Sequence, residues 1–83
     1  MNNEESDLNK RIGNFIRKNR MTKGLTETEL ARRMMLSQQH ISRCEHGKCS
    51  FNLVHVCRFL NILDKSFSDF IQEVLYGYDD VKL

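Results

Sequence analysis

The 83-residue sequence predicts an all-α fold. Apolar residues recur at spacings of three and four along most of the chain, as expected for helices with one buried face. The chain has no proline, no Asn-Gly or Gly-Gly turn signal and no sustained alternation of apolar and polar residues, so nothing in it favours a β-sheet. Five segments carry the helical pattern and the connections between them are short. We therefore expect a single domain spanning residues 1–83.

Local signals mark the ends of the first three helices. The first helix, about residues 7–20, ends before Gly24. Thr26 and Glu29 form a T-x-x-E capping box at the start of the second helix, about residues 26–34. Ser37 is a good cap for a third helix of about nine residues, which stops at Gly47. The predicted buried face of the first helix consists of Leu8, Ile12, Phe15, Ile16 and Asn19.

Two further helices follow a polar connector. Ser50 is predicted to cap the fourth helix, and Asp64-Lys65 interrupts its pattern. Ser66 is predicted to cap the fifth helix, which Gly77 ends. The buried stripe predicted for the fourth helix consists of Leu53, Val56, Cys57, Leu60 and Leu63. One side of the fifth helix carries Phe67, Phe70, Ile71, Val74 and Leu75.

The net charge of +2 is unevenly distributed along the chain. Residues 10–65 contain twelve of the 13 Lys and Arg and only four of the 11 Asp and Glu, whereas residues 1–9 and 66–83 each carry a net charge of −3. A basic middle is typical either of a phosphate-binding surface or of a solvated helix face, and charge alone does not decide between them. The longest apolar run has three residues, so we expect neither a membrane span nor a signal peptide. An odd number of cysteines favours a reducing cytoplasm.

Residues 26–47 read TETELARRMMLSQQHISRCEHG. This segment resembles the helix-turn-helix of the phage repressor and Cro-like (XRE-type) DNA-binding family. The shared positions are Leu25-Thr26, Glu29-Leu30-Ala31, Leu36-Ser37-Gln38-Gln39, Ile41-Ser42-Arg43 and Glu45-x-Gly47. The resemblance extends from Arg20 to about residue 75. It implies a compact five-helix, lambda-repressor-like domain with its helix-turn-helix at about residues 26–46.

The third helix is the candidate reading element. At about 100° per residue, its inner side consists of Ser37, Ile41, Cys44 and Glu45, and its outer side of Gln39, Ser42, Arg43 and His46. Glutamine can pair with the adenine edge and arginine with the guanine edge in the major groove. A polar outer side is also what a solvated helix would show. The resemblance favours base reading, by Gln38, Gln39, Ser42 and Arg43.

The resemblance also implies supporting roles. Contacts to phosphates or flanking bases are expected from Thr26, Ser37, His40, His46, Lys48, Ser50 and Asn52. Arg20 and Glu45 occupy positions that form a partly buried ion pair in relatives. Met35 stands where the family places a turn glycine, so we expect either strain or an altered turn.

The implied function is sequence-specific transcription regulation, with repression as the default, by a homodimer that binds an inverted-repeat operator. We expect the fifth helix and tail, residues 66–83, to form the dimer through Phe67, Phe70, Ile71, Val74 and Leu75, because so small a domain cannot bury all of them. The SQQHISR segment also resembles small regulators encoded beside fimbrial operons in enterobacteria. Alternatives are an antitoxin that binds a toxin and represses its own operon, a restriction-modification controller, and a helical interaction module without DNA binding.

Other chemistry has weaker support. Six histidines and cysteines lie within residues 40–57 but form no C-x-x-C or H-x-x-x-H pair. Cys44 and Cys57 fall on apolar stripes, where a free cysteine acts as a small buried hydrophobe. We therefore expect no metal and no other cofactor. A glycine-rich phosphate loop, a nucleophile elbow and paired carboxylates are all missing from the sequence, so we expect no enzyme.

Overall fold

The computed structural model of the chain describes residues 3–76, with side chains described from residue 7 onward. In this range the backbone forms α-helices and no strand, which confirms the predicted fold class. The elements are α1 (Asn3–Thr22), α2 (Glu27–Met34), α3 (Gln38–Glu45), α4 (Leu53–Leu63) and α5 (Phe67–Phe70), followed without a break by a π-helical segment, Ile71–Tyr76. The predicted end at Gly77 and the tail that follows it lie outside the described residues.

Helix α1 is longer at both ends than the predicted 7–20. The polar residues before Leu8 carry no apolar periodicity, so the pattern did not show where the helix begins. At the other end, the amide of Lys23 still donates to the carbonyl of Asn19 at 3.0 Å, and the chain turns only at Gly24. The predicted buried face is confirmed, with Leu8 half-buried at its edge. The buried amide of Asn19 donates to the carbonyl of Phe15 at 2.8 Å, so it carries no desolvation penalty.

The turn between α2 and α3 contains the residue that departs from the family pattern. Met35 adopts the left-handed conformation, with φ 60° and ψ 40°. The next amide, that of Leu36, donates to the carbonyl of Ala31 at 2.9 Å, as in an ordinary helix C-terminus. The Met35 side chain is 86% exposed. The turn therefore keeps the left-handed geometry that glycine would adopt, and the backbone of Met35 is strained as a result.

The prediction for the start of α4 is wrong. Asn52 rather than Ser50 is the N-cap, because its side-chain carbonyl accepts the amide of His55 at 2.8 Å. The predicted stripe is also wrong for Leu53, which is 66% exposed, and for Cys57, which is exposed. The residues of α4 that are buried are Val56, Phe59, Leu60 and Leu63. On a helical wheel the two misplaced residues lie about 70° and about 110° from the centre of this buried face.

The core lies where all five helices meet, with Ile41 as the contribution of α3. The rings of Phe15 and Phe70 pack edge to face with centroids 5.3 Å apart, which joins α1 to α5. Val74 in the π-helical segment is fully buried, and its carbonyl accepts a hydrogen bond from Arg11 Nη1 at 3.0 Å. The side chains with the least exposure are Ile16, Leu30, Met34, Ile41 and Val74.

The structure divides the five residues predicted for dimerisation. Phe70 and Val74 belong to the core of their own domain, so for them the prediction is wrong. Leu75 is half-buried against the same core. Phe67 and Ile71 remain 49% and 37% exposed. The helical wheel had put all five on one side, and the change to π-helical geometry after Phe70 alters which of them face inward.

At Gly13, helix α1 lies so close to the end of α3 that a residue with a side chain would not fit. A Cβ built at this position would lie 2.4 Å from the carbonyl oxygen of Cys44 and 2.6 Å from that of Glu45. Both atoms belong to the backbone and cannot rotate away. Gly13 is therefore required by packing, although it lies in a helix interior where glycine lowers helix propensity.

Replacing Gly13 by alanine tests this contact. Helix propensity alone predicts a gain of about 1 kcal/mol. The contact with the α3 backbone predicts a net loss of about 1–3 kcal/mol, typical of an overpacked site. Urea unfolding should give the loss for Gly13→Ala and no loss for Asn14→Ala, the neighbouring exposed position on the same helix. A more stable Gly13→Ala variant would contradict the close approach.

Replacing Met35 by glycine tests the strain in the turn. Left-handed geometry costs an L-residue about 1–2 kcal/mol, and the greater flexibility of unfolded glycine offsets about 0.5–1 kcal/mol of the relief. We expect Met35→Gly to raise the free energy of unfolding by about 0.5–1 kcal/mol in urea titrations. Met35→Ala is the control, since it removes the same exposed side chain but keeps the strain. Equal stabilities of the two variants would show that the turn is unstrained.

Candidate nucleic-acid interface

Helix α3 presents its polar side chains outward because its other side is buried. Ile41, Cys44 and Glu45 have 4% or less of their surface exposed. The predicted base-reading residues are on the opposite side: Gln38, Gln39 and Arg43 are exposed and Ser42 is half-buried. The hydroxyl of Ser37 caps the helix by accepting the amide of His40 at 3.1 Å. The arrangement leaves a row of hydrogen-bonding groups that is free of apolar side chains.

The predicted ion pair joins α1 to the end of α3. Arg20 Nε donates to Glu45 Oε2 at 2.6 Å, and Arg20 Nη2 donates to Glu45 Oε1 at 3.1 Å, a bidentate arrangement. Only 11% of the arginine side chain and 1% of the glutamate side chain are exposed. Arg20 Nη1 also donates to the carbonyl of Leu25 at 2.7 Å, just before α2. One guanidinium thus connects three helices.

The pKa values of Arg20 and Glu45 depend on their mutual hydrogen bond, on burial and on the neighbouring Glu27. The hydrogen bond to Glu45 raises the pKa of Arg20, which keeps the guanidinium charged. Burial raises the pKa of Glu45, the bond from Arg20 opposes that effect, and the nearby carboxyl of Glu27 adds to it. The buried carboxylate is therefore stable only while Arg20 is present.

The connector after α3 is shaped by Gly47, whose φ is +74°. Its amide donates to the carbonyl of Cys44 at 3.0 Å, and the amide of Lys48 donates to the carbonyl of Arg43 at 2.9 Å, as in a Schellman turn. A Cβ on Gly47 would lie 2.7 Å from the Cα of Lys10. The turn therefore has neither the backbone freedom nor the space for another residue.

The predicted flanking residues surround α3 at both ends. The Thr26 hydroxyl accepts the amide of Glu29 at 3.0 Å, which completes the capping box of α2. Nδ1 of His46 donates to the carbonyl of Ser42 at 2.7 Å. Lys48 and Ser50 are exposed in the connector, and Asn52 caps α4.

Comparison with known proteins supports this geometry. A family model described as helix-turn-helix matches residues 16–70, about two thirds of the chain. The chain belongs to the helix-turn-helix family. It is a DNA-binding transcription regulator, and the predicted all-α helix-turn-helix fold is confirmed.

Two crystal structures of the clp gene regulator ClgR from Corynebacterium glutamicum are similar to the regulator, each with 26% sequence identity and a TM-score of 0.78. Each match covers 84% of this chain, and 90% and 74% of the respective ClgR chains. No curated protein sequence matches significantly. The resemblance to fimbrial regulators stays a prediction. Within residues 3–76, the regulator has no helix with the length and apolar character needed to cross a membrane.

Sequence reasoning missed two polar features beside α3. Glu27 Oε1 accepts a hydrogen bond from Gln38 Nε2 at 2.6 Å, across the turn between α2 and α3. Lys10 and Arg17 of α1 line a shallow recess beside the end of α3. The other residues of the recess are Asn14, Glu45 and His46. Neither feature leaves a periodic signal in the sequence. Glu27 and Gln38 are eleven residues apart across a turn, and the recess lies between two helices that are not consecutive in the chain.

The structure also brings together three of the histidines and cysteines that the spacing argument set aside. The potential ligand atoms of His40, Cys44 and Cys49 all lie within 4.8 Å of one another. Cys44 is buried as predicted, and its burial and its hydrogen bond with Cys49 raise the pKa of its thiol. Cys57 lies on the exposed side of α4, so the prediction that it is buried is wrong.

Removing Glu45 tests the ion pair. Glu45→Ala leaves a guanidinium in a site that is almost closed to water, and we expect a loss of about 3–5 kcal/mol in the free energy of unfolding. The matched control is Glu73→Ala. Its exposed pairs with Lys18 at 3.6 Å and Lys65 at 3.8 Å should contribute at most about 1 kcal/mol. A Glu45→Ala protein that unfolds at the same urea concentration as the parent would contradict the structural role.

Proposed function

We propose that the regulator binds an inverted-repeat operator as a homodimer and represses transcription from it, with the α3 of each copy in a major groove. The observation that carries this proposal is the division of α3 into a buried side and a continuous polar side. The bidentate ion pair between Arg20 and Glu45 holds this helix in one orientation, as the reading of base edges would require. The regulator would act in the cytoplasm, at the nucleoid.

Base reading falls to four residues of α3. Gln39 and Arg43 are one turn apart on the exposed side, so they can address neighbouring base pairs. Arg43 is the guanine reader in this proposal, because a guanidinium matches the two acceptors of the guanine edge. Gln38 keeps one amide hydrogen and its carbonyl oxygen for adenine while Glu27 holds the other hydrogen. Ser42, between them, completes the set.

Phosphate contacts would position the helix. The N-termini of α2, α3 and α4 present backbone amides, which attract anions. Their caps Thr26, Ser37 and Asn52 stand at those ends. The other phosphate or flanking contacts in the proposal are His40, His46, Lys48 and Ser50. We add Lys10 and Arg17 to them because these cations line the recess beside the end of α3.

The proposed dimer surface contains fewer residues than the one predicted from sequence. Because Phe70 and Val74 are buried, Phe67 and Ile71 are the members of the predicted set that keep exposed apolar surface for a second copy to cover. Leu75 can contribute from the edge of the core. Burying these groups at a two-fold axis would remove exposed apolar surface from water.

Selecting bound duplexes from a random pool, followed by affinity measurements on the selected site, tests the proposal. Two inverted half-sites with centres about one helical turn, or roughly 34 Å, apart are the expected result. We expect Arg43→Ala to weaken binding to that site by roughly 1–3 kcal/mol and to relax selection at one base pair, without changing thermal stability.

Arg58→Ala is the matched control, because Arg58 is an exposed arginine on α4 rather than on α3. Its affinity for the selected site should stay close to that of the parent. A folded parent protein that selects no sequence, or an Arg43→Ala variant with unchanged affinity and base preference, would contradict the proposal. A single half-site without a symmetric partner would contradict the dimer.

A further inference from the structure

A cluster of three metal-binding side chains lies behind the reading face of α3. His40 and Cys44 are four residues apart on the helix, so they share one side of it. Cys49 lies in the connector that follows. The imidazole nitrogen and the two sulfur atoms are all within 4.8 Å of one another, and of the residues that the structure describes these are the ones that form such a group.

The cluster results from backbone geometry. The left-handed Gly47 and the bonds from the amides of Gly47 and Lys48 to α3 reverse the chain immediately after the helix. This reversal carries Cys49 back to Cys44, close enough for their thiols to hydrogen-bond. The C-x-x-C and H-x-x-x-H patterns cover separations of three and four positions. They omit Cys44 and Cys49, which a turn brings together from a separation of five positions.

The spacing of the three atoms suits a small metal ion. An equilateral triangle with sides of 4.8 Å has its centre about 2.8 Å from each corner, and that is the upper limit for this cluster. Zn²⁺ needs about 2.3 Å to sulfur and about 2.0–2.1 Å to nitrogen. Side-chain rotations that move each ligand atom by roughly half an ångström would bring the atoms to those distances. Cys49 lies in a connector and is only half-buried, so it has the freedom to move.

The chemistry of the donors narrows the choice of metal. Two thiolates and one imidazole are borderline-soft ligands that favour Zn²⁺ over the oxygen-seeking Mg²⁺ and Ca²⁺. Because two thiol protons leave to solvent when Zn²⁺ binds, the occupied site has the same net charge as the empty one. Binding would therefore act on position rather than on long-range charge.

We propose that His40, Cys44 and Cys49 form a Zn²⁺ site with a fourth position open to water. An occupied site ties the connector to α3 and draws the His40 ring toward the metal. The ring is then withdrawn from the phosphates or flanking bases next to the reading helix. The metal-binding part of this inference holds whether or not the regulator binds an operator.

The test uses the full chain, stripped of metal and kept in a non-thiol reductant. Titration with Co²⁺ alone, as a spectroscopic probe, should give thiolate-to-cobalt charge transfer with a stoichiometry of one, and added Zn²⁺ should abolish the absorption. Competition with a chromophoric chelator then gives the Zn²⁺ affinity. Loss of one ligand should weaken that affinity by at least about tenfold, because the loss of even an outer-shell partner costs roughly 10- to 100-fold.

Four variants separate a built site from adventitious binding. Cys49→Ser and His40→Ala should lose the charge-transfer signal or the tight affinity while circular dichroism shows an intact fold. Cys57→Ser and His55→Asn, which alter a cysteine and a histidine outside the cluster, should retain both. Excess Zn²⁺ should raise the thermal midpoint of the parent and of Cys57→Ser, but not that of Cys49→Ser, because a ligand stabilises the state that binds it.

Three results would overturn the proposal. The first is the absence of thiolate-to-cobalt charge transfer in the reduced parent. The second is equal weakening of Zn²⁺ binding by Cys49→Ser and Cys57→Ser. The third is an assay in which air oxidation of the Cys57→Ser variant removes both remaining thiols from a protein that stays monomeric while the reduced protein takes up no Zn²⁺, because that outcome assigns Cys44 and Cys49 to a disulfide.

Discussion

The orientation of helix α3 depends on the ion pair between Arg20 and Glu45. Helix α3 has eight residues, and isolated helices shorter than about 12 residues are marginal in water. Its direction must therefore come from contacts outside the helix. The guanidinium supplies them by binding Glu45 at the end of α3 and the carbonyl of Leu25 before α2. Gly13 adds a steric condition, because its missing side chain lets α1 lie against the last carbonyls of α3.

A residue with left-handed backbone geometry lies at each end of α3, and the two positions differ in the side chains that they allow. Met35, before α3, has its side chain in solvent, so a residue with a Cβ is possible there at the expense of strain. Gly47, after α3, faces the backbone of Lys10, so a Cβ is excluded by space as well as by conformation. This difference explains why the turn sequence can depart from the family pattern at one position while the connector keeps its glycine. The reversal at Gly47 also determines where Cys49 lies.

Local sequence patterns predict this structure correctly where it is decided within a few residues, and incorrectly where several local solutions compete. Capping by Thr26 and Ser37 depends on bonds to amides three positions away, and the inner side of α3 follows from helical periodicity. The start of α4 is an example of such competition. Ser50 and Asn52 are both good caps, and in the structure it is the Asn52 side chain that accepts an amide three residues ahead. Leu53 and Cys57 looked buried because a wheel shows relative angles, whereas the direction of the core is set by other helices.

The sequence by itself determined the helices, the caps of α2, α3 and α5, the two-helix motif and the polar character of the outer side of α3, because each of these depends on residue types at short, fixed separations. Only the tertiary structure decided which apolar side chains remain exposed, that Glu27 holds Gln38, that Lys10 and Arg17 reach the end of α3, and that His40, Cys44 and Cys49 meet. The physical reason is that these are contacts between separate elements. Their distances depend on how helices cross and how turns reverse, which no single local pattern encodes.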